Sequence, residues 1–412
     1  MSRVEELIEE LCPDGVEYRE IQEIFNLKNG YTPSKRNLEF WKEGTIPWFR
    51  MEDIRINGRI LEDSVQHVSK EAVKGGKLIP KNSIIMSTTA TIGEHALIKI
   101  DALTNQQITS FSIKDSYSNK LDIKFAFHYF YLFGEWCKAN ANQSGSIRII
   151  SLDKLKKFSM AIPPIEVQKE IVRILDTFTE LAEELTLKLT AELTARKKQY
   201  EYYKDEIFKV NSNTLVVKLG DIADISRGGN FKKTDFTDVG IPCIHYGQIY
   251  TRYGLYACKA ITNITEEAAK KAKYATKNDL IMAVTSENIQ DVCKAVAWLG
   301  EEEIAIGGHT AIIHHKQNAK YLSYYFSTSM FSKQKAKLAQ GTKVLDVAPN
   351  KLLNVEIPLP SLEQQEIIVN ILDRLDEIFT DISEGVLAEI EARKKQYKYY
   401  RDKLLTFKKI EE

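Results

Sequence analysis

The chain has 412 residues, 43% of them hydrophobic and 28% charged, with 57 basic side chains balanced by 57 acidic ones. That length is too great for one core and predicts two to four domains, while zero net charge excludes a uniformly basic nucleic-acid binder. No apolar run approaches the ~20 residues of a membrane span, Met1-Ser2-Arg3 leads into an acidic helix rather than a signal peptide, and Cys12, Cys137, Cys243, Cys258 and Cys293 form no C-x-x-C pair, so a reduced cytoplasmic compartment is expected.

In chain order, segment 1–162 opens on an alternating stretch, Val16-Glu17-Tyr18-Arg19-Glu20-Ile21. A glycine turn follows (Asn29-Gly30-Tyr31-Thr32-Pro33-Ser34), then Ile46-Pro47-Trp48-Phe49, Lys81-Asn82-Ser83-Ile84-Ile85-Met86 and Gly145-Ser146-Ile147-Arg148. Short apolar and aromatic runs bounded by Gly, Pro, Asn and Asp read as a mixed α/β domain with a strongly twisted sheet.

Segment 163–210 changes period. Ile171, Ile174, Phe178, Leu181, Leu185, Leu189, Leu193, Tyr200 and Ile207 step by threes and fours along one helical stripe. Pro163 and Pro164 suit a first turn, acids crowd the early turns, and Arg196, Lys197, Lys198 and Lys204 crowd the late ones, an order that complements the helix dipole.

Segment 211–359 repeats the landmarks of the first in the same order: Leu215-Val216-Val217-Lys218-Leu219, the turn Arg227-Gly228-Gly229-Asn230-Phe231, Ile241-Pro242-Cys243-Ile244, Lys277-Asn278-Asp279-Leu280-Ile281-Met282, and Gly341-Thr342-Lys343-Val344. Segment 360–412 then repeats the helix almost residue for residue. Ala195-Arg196-Lys197-Lys198-Gln199-Tyr200 recurs as Ala392-Arg393-Lys394-Lys395-Gln396-Tyr397, a shift of 197 positions, and nearly half of the ungapped pairs between 163–208 and 360–405 are identical. Ser361 with Gln364 resembles a capping box, and Gly385 in a helix interior predicts a bend.

One unit is therefore written twice. A rod of about 45 residues, roughly 65 Å at 1.5 Å per residue, needs a partner for its stripe. Its own copy is the nearest, which predicts an antiparallel intramolecular coiled coil separating two mixed α/β domains; a homodimeric coiled coil is the alternative. Near-copied helices suggest that identical partners dock on both, and divergent globular segments suggest that two different things are read.

The proline-led helix starts (Pro163-Pro164-Ile165-Glu166-Val167-Gln168 and Pro360-Ser361-Leu362-Glu363-Gln364-Gln365) are each followed by Ile-Leu-Asp (174–176, 371–373) and the Ala-Arg-Lys-Lys-Gln-Tyr element. With Gly30-Tyr31-Thr32-Pro33-Ser34 and Ile46-Pro47-Trp48, this order of parts resembles the specificity (S) subunit of type I restriction–modification enzymes over essentially the whole chain. The second glycine turn departs from it in lacking Pro-Ser. The resemblance implies two target-recognition domains (1–162 and 211–359), each reading one half of a bipartite double-stranded DNA site. It also implies two long helices (163–210 and 360–412) that set the spacing and hold two methyltransferase subunits. Residues 1–12 would form a leading helix that completes a circular pseudo-symmetry. Restriction/translocase subunits join the complex, and S-adenosylmethionine, ATP and Mg belong to the partners.

Sequence is read by groups that reach base edges, whereas phosphate contacts only position the protein. Polar and aromatic loop residues are therefore the candidate readers: Thr32, Ser34, Lys35, Arg36, Arg50, Thr88, Thr89, Thr91, Gln106, Gln107 and Arg148 in the first domain. In the second they are Arg227, Lys232, Lys233, His245, Tyr246, Gln248, Tyr250, Arg252, Thr285, Asn288, His309 and Lys343. Lys35-Arg36 and Lys232-Lys233 suit phosphate better than bases. Arg196, Lys197, Lys198, Gln199 and Tyr200, with Arg393, Lys394, Lys395, Gln396 and Tyr397, are candidates for docking partners, or for serving the helix dipole and covering the seam.

No catalytic role is expected. The adenine-methyltransferase Pro-Pro-aromatic motif is missing, because Pro163-Pro164 runs into Ile165, and neither a G-x-G-x-x-G nor a Walker loop occurs. His309, His314 and His315 with Cys243 and Cys293 lack the spacing of metal ligands. A scaffold that binds only proteins and a cryptic DNA-modifying enzyme are the rival readings.

Overall fold

A computed structural model describes residues 3–144, 147–209 and 214–410. Met1, Ser2, Gly145, Ser146, the boundary at Val210 and Asn211, and Glu412 lie outside the described residues. Contacts divide the chain into two compact units, Met1–Leu187 with Glu389–Glu412, and Lys188–Ala388. The long helices Ile165–Ile207 and Leu362–Leu404, 43 residues each, contribute a segment to both units.

In the first unit the main sheet orders its strands Phe25–Asn29, Ile108–Ile113, Ser83–Ser87, His95–Ile98 and Ile60–Leu61, antiparallel except for the last pair. In the second the order is Ala223–Arg227, Thr310–His315, Leu280–Ala283, Lys294–Trp298 and Tyr256–Ala257, with the same directions throughout. The central strands are buried along their whole length, so they read as continuous apolar runs. A smaller sheet packs beside each. It comprises three strands around Ile46–Phe49 in the first unit and five around Ile241–Ile244 in the second. The main sheet is repeated strand for strand, and the second sheet is not.

Behind each main sheet lies helix. The first unit has one helix, Ile123–Asn140, whereas the second breaks the equivalent into Ala319–Tyr325 and Ser329–Leu338, with Thr328 capping the restart. Each long helix is tied to this layer by the same two side chains. Gln168, wholly buried, accepts the Asp122 N–H at 2.8 Å and donates to the carbonyls of Lys120 and Pro163, both at 2.7 Å. Gln365, equally buried, accepts the Asn318 N–H at 3.0 Å and donates to the Pro360 carbonyl at 2.9 Å. One turn or two further on, Asp176 accepts from Lys124 (2.6 Å) and His128 (2.9 Å), and Asp373 accepts from Lys320 and from the Tyr324 hydroxyl at 2.8 Å. The repeated Gln and Ile-Leu-Asp are thus anchors, and buried polar groups of this kind persist because each is satisfied.

Within each unit the two long-helix segments run antiparallel. In the first, Thr179 and Tyr397 join hydroxyls at 2.9 Å while Phe178 meets Tyr400. In the second, Tyr200 donates to Asp376 at 3.0 Å and stacks on Phe379 at 5.1 Å between ring centroids. Tyr397 and Asp376 are the 197-shifted copies of Tyr200 and Thr179, so one seam contact is made twice.

Two details correct the sequence reading. The stripe and the buried face do not coincide: Ile171 is buried, as are Leu175 and Leu372 beside the stripe, yet Leu181 and Ile378 remain 55% and 56% exposed. The helix runs unbroken through Gly385. Pro163 and Pro164 stand before Ile165 rather than inside the first turn, the Pro164 carbonyl taking the Gln168 N–H at 3.1 Å. The Ser361–Gln364 capping box forms, each side chain holding the other's backbone N–H at 3.3 Å.

The leading helix Arg3–Leu11 places Val4 and Leu7 in the first unit's core, beside Val167 and Ile171. The two ends of the described chain also meet in this unit. Val16 donates to the Lys408 carbonyl at 2.9 Å, and Tyr18 donates to that of Phe407 at 2.9 Å. Gly15, at φ +115°, passes so close that a Cβ would fall 2.7 Å from the Lys408 oxygen.

Candidate nucleic-acid interface

In both units a loop cluster forms at one end of the main sheet, and a glycine makes it possible. Gly30 N–H bonds the Ile108 carbonyl and Gly228 N–H that of Thr310. A Cβ on Gly30 would lie 2.1 Å from the Asn105 oxygen, and one on Gly228 would lie 2.2 Å from that of Gly307. Only a bare backbone lets the first strand's exit pressed against the loop before the returning strand.

In the first unit this contact joins Thr32 to Gln106 through their side chains. Thr88 N–H donates to the Gln107 carbonyl at 2.9 Å, Thr89 bridges Ile149, and Ala90 N–H donates to the Arg148 carbonyl at 3.2 Å. Thr32, Gln106, Gln107, Thr89 and Arg148 are thus gathered at one end. Arg50 enters the same end from strand Ile46–Phe49, where the Asn105 N–H bonds the Phe49 carbonyl. Its backbone N–H is capped by Asp53 at 2.7 Å, its guanidinium pairs with Glu52 at 2.7 Å, and its Nε is buried with no hydrogen-bond partner among the described residues. The Thr91 hydroxyl donates to that of Ser87 at 3.5 Å. Ser34, Lys35 and Arg36 are exposed on the separate loop after the glycine turn, where the Trp41 indole holds the Ser34 carbonyl. Thr88 corrects the reading: it is buried, and its hydroxyl bonds the Gln107 carbonyl at 3.2 Å.

The second unit assembles a counterpart from different side chains. His245 occupies the place of Arg50, at the end of strand Ile241–Ile244, its N–H capped by Gln248 at 3.3 Å. Burial pulls the His245 imidazole pKa below the usual value. Lys233, His245, Tyr246 and His309 line an open pocket of roughly 340 Å³ together with Phe231 and Phe236. Tyr246 and His309 meet edge to face at 5.0 Å, His309 lies 3.4 Å from the Thr285 hydroxyl, and the Tyr250 hydroxyl donates to the Thr285 carbonyl at 2.7 Å. Arg227 donates to the Gly308 carbonyl at 3.0 Å and to Asp346 at 3.2 Å. Gln248 turns inward, buried and bonded to Thr262. Lys232, Arg252 and Lys343 are exposed outside the pocket lining, and Asn288 is held by Asp291 at 2.7 Å.

Sequence reasoning missed Asp346, Phe231 and Phe236. Asp346 enters only because its strand pairs with Thr285, 61 positions away. The aromatics carried a signal in the turn Gly229-Asn230-Phe231.

On the long helices the six-residue repeat divides by face. Arg196, Lys197, Lys198 and Gln199, like Arg393, Lys394, Lys395 and Gln396, are exposed. Tyr200 and Tyr397 face the seam, which corrects their reading as partner-docking groups. Lys204 and Arg401, a further 197-shifted pair, are buried: one caps the Ser327 carbonyl at 2.9 Å, and the other lies 4.0 Å above the Tyr131 ring. Among the described residues no group of His, Cys, Asp and Glu could hold a metal, and no helix is long and apolar enough to cross a membrane.

Two copies of one frame, each carrying its own polar loop cluster, define a tandem recognition protein. The family model for the type I restriction modification DNA specificity domain matches twice, over residues 13–195 and 211–392, and the chain belongs to that family. A type I restriction enzyme EcoprrI specificity subunit of Escherichia coli is 36% identical over 385 residues, 90% of either chain. The MjaVIII specificity subunit of Methanocaldococcus jannaschii is 24% identical over 70% of this chain and 72% of its own. Among solved structures, a chain from a study of type I R-M complex assembly and conformational transition superposes with TM-score 0.74 at 16% identity, covering 96% of this chain and 98% of that one. The HsdS subunit of Thermoanaerobacter tengcongensis gives 0.53 at 15%, covering 96% and 97%. Members of this family are specificity subunits, which recognise DNA within a complex and do not themselves catalyse.

Proposed function

We propose that each loop cluster reads one half of a bipartite double-stranded DNA site, with 1–162 and 211–359 as reading domains and 163–210 and 360–412 as spacer and docking helices. One observation carries this reading. On main sheets repeated strand for strand, equivalent loop positions differ in chemistry: Arg50 corresponds to His245, Gln106 to Gly308, and Ile149 to Asp346. Selection for one shared ligand would keep them alike. Thr32, Arg50, Thr89, Gln106, Gln107 and Arg148 read the first half, and Arg227, His245, Tyr246, Thr285 and His309 read the second. Ser34, Lys35, Arg36, Lys232, Lys233, Arg252 and Lys343 serve phosphates.

Two methyltransferase subunits dock on the repeated exposed faces, Arg196 to Gln199 and Arg393 to Gln396. An apolar groove of Phe178, Leu181, Leu185 and Tyr400 beside Arg393 and Gln396 suits such a contact. Restriction/translocase subunits complete the assembly in the cytoplasm, and S-adenosylmethionine, ATP and Mg act on the partners. Half-sites centred about one helical turn apart, ~34–36 Å, would be read from one side of the duplex.

The test is a methylome of cells with and without the gene. A bipartite adenine mark that disappears with the gene supports the proposal. Marks that never change leave a protein-only scaffold, and modification by the purified chain alone would indicate a cryptic enzyme.

A further inference from the structure

Arg227 differs from the other exposed cations of the second unit in being held along one edge. Its Nε donates to the Gly308 carbonyl at 3.0 Å and its Nη2 to Asp346 Oδ1 at 3.2 Å. Asp346 is itself fixed. It accepts from the Thr285 hydroxyl at 2.9 Å, pairs with Thr285 in a two-stranded sheet, and exchanges backbone hydrogen bonds with Gln340 at 2.8 and 3.0 Å. Thr285 is braced in turn by the Tyr250 hydroxyl.

A guanidinium carries five N–H donors in a rigid fork. The two bonds consume the Nε–H and one Nη2–H, leaving the end-on pair across Nη1 and Nη2. The side chain is 48% exposed, which leaves room for a ligand to approach it. Two parallel donors of fixed direction match the O6 and N7 acceptors on the major-groove edge of guanine. A phosphate contact requires charge and no such bracing. The equivalent place in the first unit holds Asn29, whose side-chain oxygen accepts from Thr109 at 2.7 Å, and Ile149 replaces the carboxylate. At this position the fork is present in the second unit and absent from the first.

We propose that Arg227 reads a guanine in the half-site of the second unit, and that Asp346 is the positioning residue that aims it. This inference rests on the recognition reading above. An exposed ion pair adds little to stability, so variants at either position should fold.

The experiment uses the full chain assembled with its methyltransferase subunits, as wild type, R227K, R227A and D346N, selecting from a randomised duplex library. The wild type is expected to require guanine at one position of one half-site. R227K, which keeps the charge and loses the fork, should weaken that preference on the order of 10- to 100-fold and leave the other half-site intact. D346N should weaken the same position, and 7-deazaguanine there should penalise the wild type and not R227K. If R227K and R227A both retain the wild-type consensus, or relax both halves equally, the assignment is overturned. An unaltered D346N consensus overturns the positioning role. A wild-type complex that selects no sequence overturns the recognition reading together with this inference.

Discussion

Asp176 shows how a repeated residue is put to use. Hydrogen bonds from His128 and Lys124 hold its carboxyl down to about 2 against the cost of partial burial. An acid whose folded pKa lies below its unfolded value of about 3.9 binds fewer protons when folded. Its stabilisation is therefore complete above pH 4 and is lost as pH falls through 2. With a third of the side chain exposed, solvent screening reduces the contribution to about 1 kcal/mol. Asp176→Asn should lower the unfolding midpoint at pH 6, and the gap from wild type should close between pH 4 and 2. A gap that is constant with pH would show that the pairing is not electrostatic. The repeated Ile-Leu-Asp was visible in the sequence. Its partners were not, because Lys124 and His128 lie about 50 positions away and meet the carboxylate only through helix packing.

The long helices were the most legible elements, since an apolar stripe copied at one fixed shift reports both the helix and its partner. The mistakes lie in what periodicity does not encode. It marks a face without saying how much of it is covered, so Leu181 and Ile378 were counted into a seam that leaves them exposed. Tyr200 and Tyr397 were grouped with their basic neighbours, although in the structure the rings meet the partner helix and the basic side chains stay exposed. Gly385 lies inside a helix that continues through it, and a Cβ there would meet nothing within 4 Å. Glycine in a helix interior costs about 1 kcal/mol relative to alanine. Gly385→Ala should therefore raise the thermal midpoint by a few degrees. A lower midpoint would mean that the glycine serves a strained or crowded backbone.

For the whole molecule, duplication accounts for both what repeats and what varies. Anchors that hold a globular domain to its helix are preserved as 197-shifted pairs, Gln168 with Gln365 and Asp176 with Asp373, and so is the helix-to-helix contact made by Tyr200 and by Tyr397. Loop residues that no anchor constrains have diverged. The sheet order of each domain could not be read from its short strands, because it depends on pairings between distant segments such as Phe25–Asn29 with Ile108–Ile113. The candidate readers were legible as a class, polar residues beside glycine turns, but Asp346 was hidden for the same reason. The central claim is that two independent readers share one chain. Its most direct measurement is the methylome of a chimera in which 215–359 is replaced by the matching segment of another family member. One half of the methylated site should change while the other half and the spacing persist. Alteration of both halves together, in a chimera that still assembles and methylates, would contradict it.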